Sequence, residues 1–234
     1  MSNIFLDIET VPGQSPDVIQ AIRDEITEEI FNLKPPANYK KQETIDNWMA
    51  DQKALLLASE EERHHKCGLS GLKGEIISIA FAVDEGDVVA VTRSLDEPET
   101  ELIHDFWSQL LVRLDHPNAD HTWIGHNIRG FDLPFIYHRS VLLGVKPPIY
   151  LPKASGPSDR RVYDTMTEWA GWGRTISQDA LAAALGLPTK PDGVDGSQVY
   201  QMAKEGRTTE IAEYNVYDVQ TVREIHRRLT FGAL

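Results

Sequence analysis

Cysteine is nearly absent from this chain. Cys67 stands alone among 234 residues, so no disulfide can form within the chain, and the composition fits a reducing compartment such as the cytoplasm. Long apolar runs are missing too. None reaches the ~18 residues that a membrane helix needs, so no membrane partner is expected. The N-terminus has no basic region followed by an apolar one, and no secretory leader is expected. Positive charge is scarce: 23 Lys and Arg face 36 Asp and Glu, for a net charge of −13. That argues against a protein that coats nucleic acid nonspecifically, because such affinity comes from many Lys and Arg contacts to phosphate. It leaves room for an enzyme that grips a few nucleotides. What remains is ordinary: 41% hydrophobic and 25% charged residues, enough for one large domain with its own core. No internal repeat or linker divides it. A single domain over 1–234 is expected.

The most informative stretch is the first. In Asn3-Ile4-Phe5-Leu6-Asp7-Ile8-Glu9-Thr10-Val11-Pro12, Ile4, Leu6 and Ile8 alternate with Phe5, Asp7 and Glu9. That is the period of a β-strand, and it places Asp7 and Glu9 on one face. Two adjacent carboxylates repel unless something positive lies between them, and hard divalent cations take carboxylate oxygens. An acidic solvent-facing strand is the alternative, and this stretch by itself does not choose.

A polar stretch follows, at about 14–74. It reads as a helical insertion with one helix over Asp17–Leu33, stopped by Pro35-Pro36, and another over Thr44 to about His64. His64, His65 and Cys67 close it. Three ligand types without a fourth are a poor zinc site, and a polar helix end before a Gly68–Gly74 turn is the simpler reading. Glu75–Val83 is a central strand and Val88–Thr92 its hairpin partner, followed by an amphipathic helix over Pro98–Leu114. Thr122–Gly125 is a short buried strand leading to His126-Asn127, and Pro134–Leu143 is a helix. Lys146–Ser158 and Pro188–Ser197 read as loops. Arg161–Thr165 reads as a strand or turn entering a helix, and Ser177–Leu185 and Gln198–Lys204 as short helices. The last helix starts from an N-cap at Thr208 or Thr209 and runs to Leu229. Between Arg129 and Arg174, seven basic residues face four acidic ones; a solvated surface is the plainer reading of each.

Two further signals carry chemistry. On the last helix, Tyr214 and Asp218 fall one turn apart on the apolar stripe of Ile211, Val222, Ile225 and Leu229. An inward carboxylate is costly unless it is paired or metal-bound. In His126-Asn127-Ile128-Arg129-Gly130-Phe131-Asp132, Gly130 allows a close approach, Phe131 anchors in the core, and Asp132 opens a helix, where stabilising the N-terminus is the plain alternative.

Together the motifs resemble the DEDD superfamily of 3′-to-5′ exonucleases, in the branch with tyrosine in the third motif. Asp7-Ile8-Glu9-Thr10 matches the first motif, Asn127 through Phe131-Asp132 the second, and Tyr214-Asn215-Val216-Tyr217-Asp218 the third. Phe131 to Ile136 with His138-Arg139, and Asp195 to Tyr200, are similar to the proofreading domain of family-B DNA polymerases and its stand-alone relatives. No polymerase domain follows, so an exonuclease without its polymerase is expected. The resemblance implies a ribonuclease-H-like α/β fold: a mixed five-stranded sheet with helices on both faces, plus the helical insertion after the first strand. It implies two divalent metal ions, Mg2+ or Mn2+, held by Asp7, Glu9, Asp132 and Asp218. Asp7 would bridge both, Glu9 and Asp218 would hold the ion that activates the nucleophile, and Asp132 would support the second, partly through water. Tyr214 would orient the attacking water. Thr10, Asn127 and Phe131 would face the terminal nucleotide, although Phe131 also reads as core.

The implied substrate is nucleic acid, most simply the 3′ end of single-stranded DNA in proofreading or DNA repair. An exoribonuclease is the alternative of the same chemistry, since a 2′-hydroxyl contact separates the two. A nucleic-acid-binding accessory subunit without activity is the alternative of another class. The insertion is a lid or a surface for a protein partner. Asp164 reads first as a cap for the helix at Thr165. His126 reads as a structural neighbour of the site. Trp169 and Trp172 read as core before base-stacking groups.

Overall fold

The computed structural model describes residues 1–152, 159–188 and 196–232. Residues 153–158 and 189–195, which make up much of the two expected loops and include Asp195, lie outside the described residues. Five strands form one sheet in the order β3-β2-β1-β4-β5: β1 is Asn3–Pro12, β2 Gly74–Val83, β3 Val89–Thr92, β4 Thr122–Gly125 and β5 Val162–Asp164. β2 and β3 pair antiparallel, with Ile79 opposite Val91. The Asp84 N–H donates to the Asn3 carbonyl at 2.8 Å, so β1 starts where β2 ends and the two run antiparallel. β1, β4 and β5 are parallel, with Phe5 beside Ile124 and Gly125 beside Asp164. The carboxyl ends of these three parallel strands therefore open on one edge, the usual place for a site in such sheets.

The alternation in β1 sorts its side chains as the period requires. Ile4, Leu6 and Ile8 enter the larger core, with Phe106, Trp107 and Leu110 of α4 (Glu99–Arg113) and Leu133 and Ile136 of α5 (Asp132–Leu143). Phe5 faces the other side, where it meets Val219 and Val222 of α9 (Thr208–Leu229). The sheet is mixed and carries helices on both faces, the ribonuclease-H-like arrangement. α6 (Thr165–Ala170), α7 (Gln178–Ala184) and α8 (Val199–Lys204) lie between β5 and α9 in sequence. Among the described residues no helix is long and apolar enough to cross a membrane.

Residues Val11–Glu75 form a compact unit of their own. It holds α1 (Pro16–Phe31), α2 (Gln42–Ala58) and α3 (Glu60–Cys67) around Ile22, Ile26 and Cys67. The expected single helix over Thr44 to about His64 is two helices. It breaks at Ser59, whose hydroxyl donates to the Leu56 carbonyl at 2.7 Å and ends the first helix there. Ser15 caps α1 by accepting the Asp17 N–H.

Two other expectations are corrected. The last helix is entered through Arg207 with no side-chain cap, rather than from a Thr208 or Thr209 cap. Three of the basic residues counted from Arg129 to Arg174 hold the chain together instead of standing in solvent, while Lys146, Arg160 and Arg174 are exposed as expected and Lys153 lies outside the described residues. Arg139 forms a buried ion pair with Glu99 at 2.6 Å, Arg161 pairs with Asp159, and Arg129 donates to the carbonyls of Asp159 and Val162.

Candidate functional site

β1 carries Asp7 and Glu9 out along the face opposite Ile4, Leu6 and Ile8, and α9 brings Asp218 to meet them. Carboxylate oxygens of Asp7, Glu9 and Asp218 lie within 4.8 Å of one another. Asp218 is buried. Three like charges this close repel strongly where water is scarce, and a hard divalent cation is the ligand that offsets the cost. The donor set, all carboxylate oxygen, fits Mg2+ or Mn2+ and not the softer metals that prefer Cys or His. The His64, His65 and Cys67 group forms no such cluster among the described residues; His64 Nε2 meets the Gly13 carbonyl at 3.0 Å, as a structural helix end does.

Asp132 stands slightly apart. It opens α5, is buried, and accepts the Ile8 N–H at 3.0 Å, which ties the start of α5 to the strand bearing Asp7 and Glu9. Burial pushes its carboxyl up to about 7; its own and Ile8's backbone N–H groups pull the other way, and the charges of Asp164 and Asp218 add to the rise. Near neutral pH this carboxyl is poised between charged and neutral forms, and a nearby cation would draw it to the charged form.

The segment from His126 to Asp132 is held from below by Asp164. This fully buried carboxylate accepts the N–H groups of Asn127 at 3.0 Å and Arg129 at 3.1 Å. It also caps α6 through Met166 and Thr167. Asp164 thus has the capping role, with the Asn127 turn fastened to the same carboxylate. Asn127 adopts a left-handed φ of 59°. A Cβ at position 130 would lie 2.6 Å from Asn127 Oδ1, so Gly130 makes room for that side chain. Phe131 is half-buried, packed on the larger core with its ring 5.4 Å from that of Phe135. His126 is structural: Nδ1 meets Thr165 Oγ1 at 2.9 Å and Nε2 donates to the Ile176 carbonyl at 2.8 Å, while burial pushes its pKa down.

On α9 the buried stripe is Ile211, Asn215, Asp218, Val219, Val222 and Ile225. Tyr214, expected on that stripe, is half-buried at its edge, and Asn215 takes the fully buried position. Neither polar atom of the Asn215 side chain has a hydrogen-bond partner. Thr10 is half-buried at the end of β1.

Gln178 was not legible as a site residue. Its Nε2 donates to Asp218 Oδ1 at 2.9 Å from the first turn of α7. Only the reversal of the chain between α6 and α9 brings them together, and no spacing announces it. A bond of this kind fixes the orientation of a metal-binding carboxylate. Gln178→Ala is therefore expected to weaken metal affinity by roughly 10- to 100-fold, read by titrating Mn2+ against the change in melting temperature. Unchanged affinity would remove Gln178 from the site.

Comparison with known proteins places most of the chain in a family. Residues 72–229 match the family described as a predicted 3′-5′ exonuclease related to the exonuclease domain of PolB, and the chain belongs to that family. It is 26% identical to a DNA polymerase of Pyrococcus glycovorans, over 92% of this chain and 31% of the polymerase. It is 28% identical to DNA polymerase 1 of Pyrococcus abyssi, over 65% of this chain and 21% of that one. The family B DNA polymerase of Pyrobaculum calidifontis superposes with a TM-score of 0.56 at 15% identity, covering 98% of this chain and 24% of that one. The chain thus spans less than a third of the length of these relatives.

Proposed function

We propose that this protein is a metal-dependent 3′-5′ exonuclease acting on single-stranded nucleic acid, DNA in the first instance, with 1–234 as one nuclease domain carrying a helical insertion at about 14–74. The observation that carries this reading is the convergence of Asp7, Glu9 and Asp218. Their sequence motifs, with Asn127, Asp132 and Tyr214, follow the order of the DEDD exonucleases. Glu9 and Asp218 would hold one divalent ion with Asp7, which would also serve a second ion that Asp132 supports. Two divalent ions, when bound, lower the pKa of the attacking water and neutralise charge on the phosphate in the transition state.

The chain's own groups do the rest. Tyr214 orients the attacking water through its hydroxyl; at neutral pH a phenol is a poor base, so its role is positional. Asn127, held by Asp164, contacts the terminal sugar, and Thr10 the terminal nucleotide. Phe131 is chiefly a core anchor for the turn that presents Asn127. The test compares matched DNA and RNA strands, each with a free or a blocked 3′ end, in Mg2+ or Mn2+. Shortening of free-ended DNA only is the expected result. Preference for RNA would shift the reading to an exoribonuclease, and binding without cleavage to an accessory subunit.

The raised carboxyl of Asp132 gives a pH signature. The unfolded chain ionises this group near pH 4, the folded protein at about 7. The contribution of Asp132 to the stability of the metal-free fold therefore falls as pH rises from about 4 to about 7 and levels off above that. Metal binding requires the carboxylate and displaces the proton. The rise in melting temperature caused by Mn2+ should be larger at pH 8 than at pH 5, and Asp132→Asn should flatten the difference. Equal shifts at both pH values in the unmodified protein would contradict the assignment.

A further inference from the structure

Two indoles stand in water on a segment fastened at both ends to the candidate site. Trp169 is 48% exposed and Trp172 56% exposed, against the expectation that they belong to the core. They lie between β5 and α7, where the chain leaves through α6, turns, and returns. At the outgoing end Asp164 accepts the Met166 N–H and the Asn127 N–H with the same oxygen. At the returning end Gln178 donates to Asp218. His126 spans the two ends, with one ring nitrogen on Thr165 and the other on the Ile176 carbonyl. The excursion is thereby anchored to the groups that hold Asn127 and Asp218.

The turn itself is built rather than incidental. Gly171 and Gly173, which flank Trp172, have φ of 79° and 74°, where a side chain is strained. Six residues of helix give α6 a length of about 9 Å at 1.5 Å per residue, close to the rise of three stacked nucleotides. Charge does not explain the exposure: from Thr165 to Ile176 the charged residues are Glu168 and Arg174, which cancel. Two exposed indoles suit unpaired bases, which stack on aromatic side chains whatever the sequence and which a duplex hides.

We infer that Trp169 and Trp172 form a stacking platform for bases of the single strand a few nucleotides 5′ of its 3′ end; this rests on the exonuclease reading for the identity of the strand. The platform makes the site selective for single strand over duplex and indifferent to sequence. The test uses the full chain with chelator present, so that nothing is cleaved, and follows the anisotropy of a 5′-fluorescein dT 20-mer. Trp169→Ala and Trp172→Ala are each expected to weaken binding roughly 5- to 100-fold. The Phe variants should stay close to the unmodified protein. Because no phosphate contact is lost, the ratio between variant and unmodified protein should be the same at low and high salt. An abasic strand should bind the unmodified protein and the double Ala variant alike.

Binding of the dT strand by the double Ala variant within twofold of the unmodified protein would overturn the platform, as would an equal loss on the abasic strand. A dinucleotide, too short to reach the indoles, separates the two claims. Its metal-dependent cleavage should be equal in the unmodified protein and the double variant. If the unmodified protein cleaves neither dinucleotide nor strand, the exonuclease reading fails, and the anisotropy alone decides the platform. If the unmodified protein cleaves the strand in metal but does not bind it with chelator, the platform fails and the exonuclease reading stands.

Discussion

Asp218→Asn is expected to lower the release of nucleotides from a single-stranded 3′ end by about 10²- to 10³-fold, the scale seen when one group that stabilises transition-state charge is removed. The substitution keeps the shape of the side chain and removes one of three converging charges. Gln178 can still donate to the remaining oxygen. Asp218 is buried on α9, so the group left behind needs no new space. The same change relieves repulsion in the metal-free protein, whose melting temperature should hold or rise. The stabilisation by Mn2+ should be lost in parallel. Lost activity with a preserved or higher metal-free melting temperature assigns the effect to the site, whereas a lower melting temperature would assign it to damage to α9. Full activity in this variant would remove Asp218 from the chemistry.

Glu99→Ala is expected to cost about 3–5 kcal/mol, the scale measured when a buried ion pair loses one member. For a chain of this size that lowers the melting temperature by roughly 10 °C. The Glu99 side chain is 4% exposed and that of Arg139 12%, and Arg139 holds it through Nε and Nη2 at 3.0 and 2.6 Å. Glu99 also accepts the Ile76 N–H at 2.8 Å, which anchors the start of α4 to β2. Removing it takes the Glu99 carboxylate away from the largely buried Arg139 guanidinium and from the Ile76 N–H, and both losses fall on the folded state. Thermal unfolding of Glu99→Ala, of Glu99→Ala with Arg139→Met, and of Glu210→Ala checks this. The double variant should recover much of the loss, because the stranded charge is gone. Glu210 pairs with Arg207 on the surface, and its loss should cost less than about 1 kcal/mol. Comparable losses for Glu99→Ala and Glu210→Ala would contradict the burial argument.

What the sequence disclosed follows from the range of the forces involved. The strand period of residues 3–12 placed Asp7 and Glu9 opposite Ile4, Leu6 and Ile8, because alternation is a property of neighbours. The apolar spacing of α9 showed that Asp218 turns inward for the same reason. Single-residue choices within an element were harder. Helical spacing put Tyr214 on the inner face, whereas in the fold Asn215 takes the fully buried position and Tyr214 lies at its edge. Ser59 broke a helix through a local hydroxyl bond that competes with the α-helical pattern. Trp169 and Trp172 read as core from their chemistry, but burial depends on what covers a side chain, and nothing nearby in sequence says that they are left uncovered. Gln178, Glu99 and the second use of Asp164 all depend on partners 23 to 40 residues away.

The most direct test of the account is the fate of a 5′-labelled single DNA strand given to the metal-loaded protein. A ladder that shortens one nucleotide at a time from the 3′ end, and that disappears with chelator and in Asp218→Asn, is the predicted result. A strand left intact in both Mg2+ and Mn2+, or cut internally without regard to its end, would contradict it.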